Sequence, residues 1–485
     1  MSVKSLEFLL FLSTVFLLYW LGVKKKGYQN GVLLLSSYVF YAYFDWRFLF
    51  LLLAISSISF LCGIIIIKKP TVKKIFNTLN IVVCASILGV FKYFDFFSAN
   101  VKLLLSEIGV HADVPTLNLI LPVGISFYIF QAISYTVDIY RKTITPSNNI
   151  LEYFTYISFF PKLMAGPIER AENMLPQISV SRSFDYALAV DGMRQMLWGF
   201  FKKSVIADSV VNLVNILWPQ YKMLGGGTLI VTVFMYTVQI YCDFSGYSDI
   251  AVGCGKLFGI RMTQNFDMPY FSRNIREFWR KWNISLMRWF RDYVYFPLGG
   301  SRCSKKKACL NTLIVFLISG LWHGANWTFV AWGAYHACLF LPLIICNGQK
   351  YKELIANNKM LPSIKEFLQV ILTFFLVMMG WVLFRSDSIS NAFCYFFHMF
   401  SDSIFDINRT VNELRSNSFC LVRIVNFIVV MIIVEWIQRG KEHALQIDNI
   451  GFLKLRAVRW FMYIVLILCI LYFSGEQSEF IYVNF

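Results

Sequence analysis

The stretch SGLWHGANW, residues 319–327, sets an imidazole inside an apolar run, and His323 is one of only five histidines in 485 residues. A histidine is the side chain whose unperturbed pKa lets it accept a proton near neutral pH. His323 is therefore a candidate general base. Gly320 and Gly324 are placed to relax a helix around it, while Asn326 and Trp327 add hydrogen-bond donors nearby. The competing reading is a packed core histidine, the usual fate of a lone histidine near an apolar face. His336, thirteen residues on in WGAYHACLF, has the same apolar setting without the glycine-flanked context, and reads as structural.

A second stretch, SRNIREFWRKWNISLMRWFRD at 272–292, concentrates charge and tryptophan. Arg276, Arg280 and Asn283 recur at i, i+4 and i+7, which predicts one shared helical face. Glu277 with Lys281 and Arg288 with Asp292 have the i,i+4 spacing that supports a helix. Trp279, Trp282 and Trp289 interleave with the charges. Two readings stay open. In one, this is an interfacial helix with tryptophans at headgroup depth and arginines on phospholipid. In the other, Arg276, Arg280 and Arg291, with Trp279 and Trp282 beside them, form a mouth for a polyanionic donor, since guanidinium suits phosphate. A third stretch, YCDFSGYSDIAVGCG at 241–255, puts Asp243, Ser245, Tyr247, Ser248 and Asp249 straight after an apolar run.

The elements that must hold these residues lie in a membrane. The chain is 57% hydrophobic and 15% charged, with a mean hydropathy of +0.58; a soluble globular domain carries about 25% charged residues. Apolar runs cover 6–23, 31–44, 48–67, 75–91 and 117–137 in the first third, and a membrane helix needs about 20 such residues. The fold expected is an all-α polytopic membrane protein with about ten or eleven spans, plus re-entrant and interfacial helices around a central chamber. Lys24-Lys25-Lys26 follow the first run instead of preceding it, so that run is a span and not a cleaved leader. Basic residues recur at Lys68, Lys69, Lys73 and Lys74 and again at Arg141 and Lys142. By the positive-inside rule these loops are cytoplasmic and the N-terminus is outside. The net charge of +17 is then a cytoplasmic lysine and arginine excess near lipid. No nucleic-acid motif accompanies it.

The eleven cysteines lie mostly in apolar runs without CxxC or Cys/His spacing, so neither a disulfide framework nor a metal site is indicated. The pattern predicts one membrane domain over 1–485. Its regular spans occupy 1–150, its broken and polar middle 151–350, and its plain spans 351–485. Irregular backbone and intramembrane carboxylates are tolerated where protein encloses them or they line a wet cavity. Asp243, Ser245, Tyr247, Trp322 and Asn326 are the candidate chamber lining. Residues 100–110, NVKLLLSEIGV, read as an amphipathic interfacial helix. Lys307 to His323 is 16 residues, roughly 24 Å along a straight helix.

MAGPIERAENMLPQI, YCDFSGYSDIAVGCGKLFGI, NFDMPYFSRNIREFWRKWNISLMRWFRDYVYFPLGGSR and FLISGLWHGANWTFVAWGAYH together resemble the membrane-bound O-acyltransferases, in particular their bacterial polysaccharide-acetylating branch. The opening SLEFLLFLSTVFLLYW with SSYVFYAYFDWRFL, the late GWVLFRSDS and the terminal FIYVNF are similar to that branch too. The resemblance implies that His323 is the essential histidine. It also implies transfer of an acyl group, acetyl in this branch, from a cytoplasmic thioester such as acetyl-CoA, with no bound cofactor. The acceptor is an extracytoplasmic polysaccharide, reached through a periplasmic or extracellular acetyltransferase partner, and the location is the cell inner membrane. Asn283 stands where that branch usually has histidine in FWRRWHxS; an amide hydrogen-bonds but carries no proton at neutral pH. Asn283 is then expected to orient the thioester carbonyl or donate to the developing oxyanion. The alternatives are D-alanyl transfer to a teichoic acid-type polymer and, in a different class, a polytopic transporter or flippase, for which no inverted repeat is visible.

Overall fold

The computed structural model describes residues 4–22, 24–111, 113–163, 166–346, 354–357, 359–447 and 451–475. Every regular element among them is helical. The terminal FIYVNF and the Met164-Ala165 pair of the first family-like motif lie outside the described residues. The chain forms two compact units, one of residues 1–192 with 254–263, the other of residues 193–253 with 264–482.

The first unit carries α1 (Leu6–Leu21), α2 (Lys26–Asp45), α3 (Arg47–Lys68), α4 (Lys73–Leu88), α5 (Phe94–Glu107), α6 (Ile125–Tyr140), α7 (Ile150–Ser158), α8 (Phe160–Leu163) and α9 (Ala171–Ile178). Helices α3 and α4 pack on α6, and α2 packs on α7. Buried polar side chains fasten these contacts. The Asn80 amide donates to the Ala132 carbonyl at 3.1 Å and to Thr136 Oγ1 at 2.9 Å. Gln29 Nε2 donates to the Arg182 carbonyl at 2.8 Å, and the Arg182 guanidinium donates to Asn30 Oδ1 at 2.6 Å. Each bond satisfies a group that would otherwise cost about 1–3 kcal/mol to bury.

The second unit takes up the chain within α10 (Tyr186–Phe200) and continues through a π-helical turn, Phe201–Ala207, to α11 (Asp208–Leu217) and α12 (Gly226–Leu257). Then come α13 (Ile275–Lys281), α14 (Ile284–Phe290), α15 (Lys305–His323), α16 (Trp327–Ile345), α17 (Ile364–Arg385), α18 (Ile389–Met399), α19 (Ile407–Leu414), α20 (Ser418–Ile437) and α21 (Arg456–Phe473). The polar cluster at 243–249 does not break the backbone. It sits inside the 32-residue α12, where lysines of the π-turn neutralise it. Lys202 pairs with Asp249 at 2.7 Å and Glu435 at 3.8 Å, and Lys203 with Asp208 at 3.0 Å and Asp243 at 2.5 Å. Buried charges survive by such pairing.

Among the described residues, seven helical stretches are long and apolar enough to cross a membrane: 47–68, 70–107, 226–257, 327–345, 364–385, 407–437 and 456–473. The chain is thus a multi-pass all-α membrane protein. Seven is fewer than hydropathy alone predicts. The shortfall lies in α1 and α6, each of 16 residues, in α2, which carries Gln29 and Asn30, and in α15, which opens with three lysines. Residues 100–107 continue α5, so the interfacial segment is the end of a longer helix.

Helices α15 and α16 form the tightest pair of the second unit. Gly320 and Gly333 permit it: a Cβ on Gly320 would overlap the Phe329 carbonyl oxygen, and one on Gly333 that of Phe316. Gly320 thus serves close helix packing, not relaxation of the helix around His323. Gly324 ends α15 in extended backbone.

Candidate active site

The tryptophan-rich stretch folds as two short helices. Asn274 caps α13 by accepting from the Glu277 amide at 2.9 Å. The Glu277 carboxylate in turn holds Arg273 at 3.1 Å and Lys281 at 3.5 Å. Helix α13 then stops. Trp282 is extended (φ −98°, ψ 127°) and Asn283 is left-handed (φ 43°, ψ 55°) before α14 begins. The expectation that Asn283 shares a helical face with Arg276 and Arg280 is corrected here: the break turns it away. Asparagine is one of the few residues that enter the left-handed region readily. Residues 265–267 stitch the break, with Ile284 N donating to the Asn265 carbonyl at 2.9 Å and Asp267 N to the Lys281 carbonyl at 3.0 Å. Asn283 is 2% exposed, and neither atom of its amide group has a hydrogen-bond partner.

Helices α13 to α16 wall a cavity of about 1020 Å³. Five cationic side chains line it, Arg276, Arg280, Arg288, Arg291 and Lys305, and no carboxylate is among the described residues that do so. Its deeper wall is apolar and aromatic, with Trp279, Val315, Phe316 and Phe340. Arg276 is fixed: it donates to the Leu343 carbonyl at 2.5 Å and lies 5.6 Å from the Phe340 ring centre. Burial, and then the neighbouring Arg280, lower its pKa. Arg291 pairs with Asp292 at 2.7 Å. Arg280 and Arg288 are exposed. The sequence reading misses Arg288 and Lys305 as cavity residues; spacing could not have shown them, because Arg288 lies beyond the α13–α14 break and Lys305 on α15.

Lys305 at the cavity and His323 stand at opposite ends of α15, about 27 Å apart at 1.5 Å per residue. His323 is 3% exposed. Its ring lies 4.9 Å from Trp322, 4.9 Å from Trp332 and 5.3 Å from Phe384, each edge to face. Trp332 stacks on Trp381 at 5.9 Å, and Trp381 contacts Trp282 at 5.1 Å. An aromatic chain thus runs from the α13–α14 break to His323. No periodicity could have revealed Trp332, Trp381 and Phe384, because they come from two further helices.

The structure gathers the predicted residues into three groups and sets Asn326 apart from them. Arg276, Arg280, Arg291 and Trp279 line the cavity. His323, Trp322, Trp282 and Asn283 belong to the aromatic region or its edge. Asp243, Ser245 and Tyr247 lie buried along α12, and Ser245 Oγ accepts from Lys202 at 2.9 Å. Asn326 caps α16, accepting from Thr328 N at 3.0 Å and donating to the Asp387 carbonyl at 3.0 Å.

Comparison with known proteins identifies the family. Residues 141–350, which contain the cavity and His323, match the membrane-bound O-acyltransferase family, MBOAT. The protein named probable alginate O-acetylase AlgI of Azotobacter vinelandii is 34% identical over 429 residues, 88% of this chain and 82% of that one. The peptidoglycan O-acetyltransferase of Helicobacter pylori is 29% identical across 100% of this chain and 99% of its own. The teichoic acid D-alanyltransferase of Bacillus subtilis is 28% identical over 56% of this chain and 70% of its own. With a family match over residues 141–350 and relatives along most of its length, this chain is an O-acyltransferase and belongs to the membrane-bound O-acyltransferase family.

Proposed function

We propose that the enzyme takes an acetyl group from a cytoplasmic thioester, acetyl-CoA or an acetylated carrier, and passes it towards a hydroxyl of an extracytoplasmic polysaccharide. The observation that carries this reading is the cavity. Its cationic rim suits the phosphates of a thioester donor, and its aromatic wall leads towards His323 at the far end of α15. The similarity to an alginate O-acetylase and along the full length of a peptidoglycan O-acetyltransferase favours acetyl over D-alanyl transfer.

In the reaction, His323 takes the proton of the attacking hydroxyl as its oxygen bonds to the thioester carbonyl carbon. The carbon–sulfur bond breaks and the thiolate leaves. Because a thiolate leaves readily, no covalent intermediate on the enzyme is needed. General-base help of this kind contributes typically about 10²–10⁴-fold. The unpartnered Asn283 amide is suited to donate to the carbonyl oxygen as negative charge develops there. The rim faces the cytoplasm and the N-terminus lies outside, in keeping with the lysine-rich loops at 24–26 and 68–74. A secreted acetyltransferase-like partner completes transfer to the polymer.

The test is direct. Purified enzyme in nanodiscs, given radiolabelled acetyl-CoA, should release CoA and pass label to a hydroxyl acceptor, and the H323A variant should not. Absence of thioester turnover, with or without acceptor, would overturn the proposal.

A further inference from the structure

Helix α14 starts without a cap from its own N-terminal residue. An asparagine at the N-cap ordinarily turns its side-chain oxygen onto the amide of the second or third helical residue. Asn283 holds that position, and its carbonyl accepts from Met287 N at 3.0 Å. Its side chain nevertheless makes no capping bond. The backbone gives the reason. A capping residue is typically extended, whereas Asn283 is left-handed, which aims its Cβ elsewhere.

Asn265 makes the bond instead. Its Oδ1 accepts from Ser285 N, the second amide of α14, at 3.1 Å and from Ser285 Oγ at 2.9 Å. Its carbonyl accepts from Ile284 N, the first amide, at 2.9 Å. A backbone N–H only donates, so the oxygen end of the Asn265 amide must face α14. Its Nδ2 has no partner, and the residue therefore works through its oxygen. The segment around it is pinned. Gln264 Nε2 donates to the Glu442 carbonyl at 2.6 Å, and Phe266 meets Trp282 edge to face at 5.1 Å. Asn265 is buried, so water does not compete for these bonds.

We infer that Asn265 is a positioning residue for acyl transfer: by capping α14 in place of Asn283, it leaves the Asn283 amide free to meet the thioester carbonyl. This rests on the reading of Asn283 as donor to the developing oxyanion. Both atoms of the Asn283 amide are indeed without a partner. Without the Asn265 oxygen, the Ser285 amide would be a buried donor with no acceptor, which buried groups rarely remain. The Asn283 side chain, one residue before the helix, is placed to satisfy it by returning to the ordinary cap. An amide engaged in that way is lost to the substrate.

A double-mutant cycle in the radiolabelled acetyl-CoA assay tests this, with kcat taken per folded enzyme. N283G removes the amide and should lower kcat by about 10²-fold. N265A should lower kcat by about tenfold, the size of one hydrogen bond, with KM unchanged. The N265A/N283G double variant should lose no more than N283G alone, because the amide through which Asn265 acts is already gone. N265D keeps the acceptor oxygen, at a helix N-terminus that favours negative charge, and should recover most of the N265A loss. N265S replaces N265A in the cycle if N265A does not fold, its hydroxyl being one bond too short to reach the Ser285 amide. Additive losses in the double variant, or an unchanged kcat in N265A, overturn the inference and leave Asn283 in its role. A loss in N265D as deep as in N265A overturns it as well, because the Asn265 NH2 group would then be what matters. Full activity in N283G removes the oxyanion donor and this inference together.

Discussion

Trp332 stands edge-on to His323, ring centroids 4.9 Å apart and planes at 84°. Such a contact is worth about 0.5–1.5 kcal/mol beyond area burial. With Trp322 and Phe384 it encloses the imidazole on several sides, so the ring cannot swing without repacking α16 and α17. A base held this way spends little entropy on finding its reactive position.

Loss of the imidazole should remove catalysis without unfolding the protein. H323Q fills most of the same space, so it separates the base from the packing better than H323A. Both should fall by about 10²–10⁴-fold in turnover while H323Q elutes as wild type. Near-normal turnover by H323Q would refute the assignment.

At Asn283 stability and activity should come apart. N283A puts alanine, which enters the left-handed region less readily than asparagine, at that backbone and should cost up to about 1–2 kcal/mol; N283G removes the β-carbon and its strain but still lacks the amide. The glycine variant should therefore melt above the alanine variant, with both impaired in turnover. N283H should retain activity, because histidine also tolerates the left-handed region. Full activity in N283G would exclude a role for the amide.

Charge reversal on the cavity rim should act through binding. R280E is expected to raise the KM for acetyl-CoA well beyond its effect on kcat, the sign of an interaction shared by ground and transition states. R291E should do less, since Arg291 already pairs with Asp292. R276A should lose stability as well, through its carbonyl bond and its stacking on Phe340. An unchanged KM in R280E, measured on folded protein, would return these arginines to lipid anchoring.

G320A and G333A each press a methyl group onto a carbonyl oxygen across the α15–α16 contact. Backbone yields poorly, so a loss of roughly 1–3 kcal/mol is expected, read as a lowered Tm. G31A is the control. Nothing lies within 4 Å of its added carbon, and alanine in a helix interior is about 1 kcal/mol better than glycine. A Tm in G333A equal to wild type would mean that the two helices can separate freely.

K202M leaves Asp249 and Glu435 buried without the ammonium that pairs with them. Breaking a buried pair by removing one partner costs about 3–5 kcal/mol. The variant should express poorly or melt early, whereas wild-type Tm would show that the carboxylates are held neutral.

Composition and hydropathy by themselves determine the solvent, the helical class and the multi-pass character, because burying backbone in lipid leaves few other solutions. Short motifs also single out His323, Asn283 and the arginines, since glycine, tryptophan and charge inside apolar runs are costly and stand out. Three things are decided only in three dimensions. The polar run at 243–249 reads as broken backbone, yet α12 continues through it, because the compensating lysines come from a turn forty residues earlier in the chain. Asn283 reads as part of an arginine face, yet a single left-handed residue turns it away, and spacing does not show where a helix stops. Asn265 carries no signal of its own in the sequence. Its bond to Ser285 joins positions twenty residues apart across the α13–α14 break, and a one-dimensional pattern records which residues are polar but not which of them cap one another.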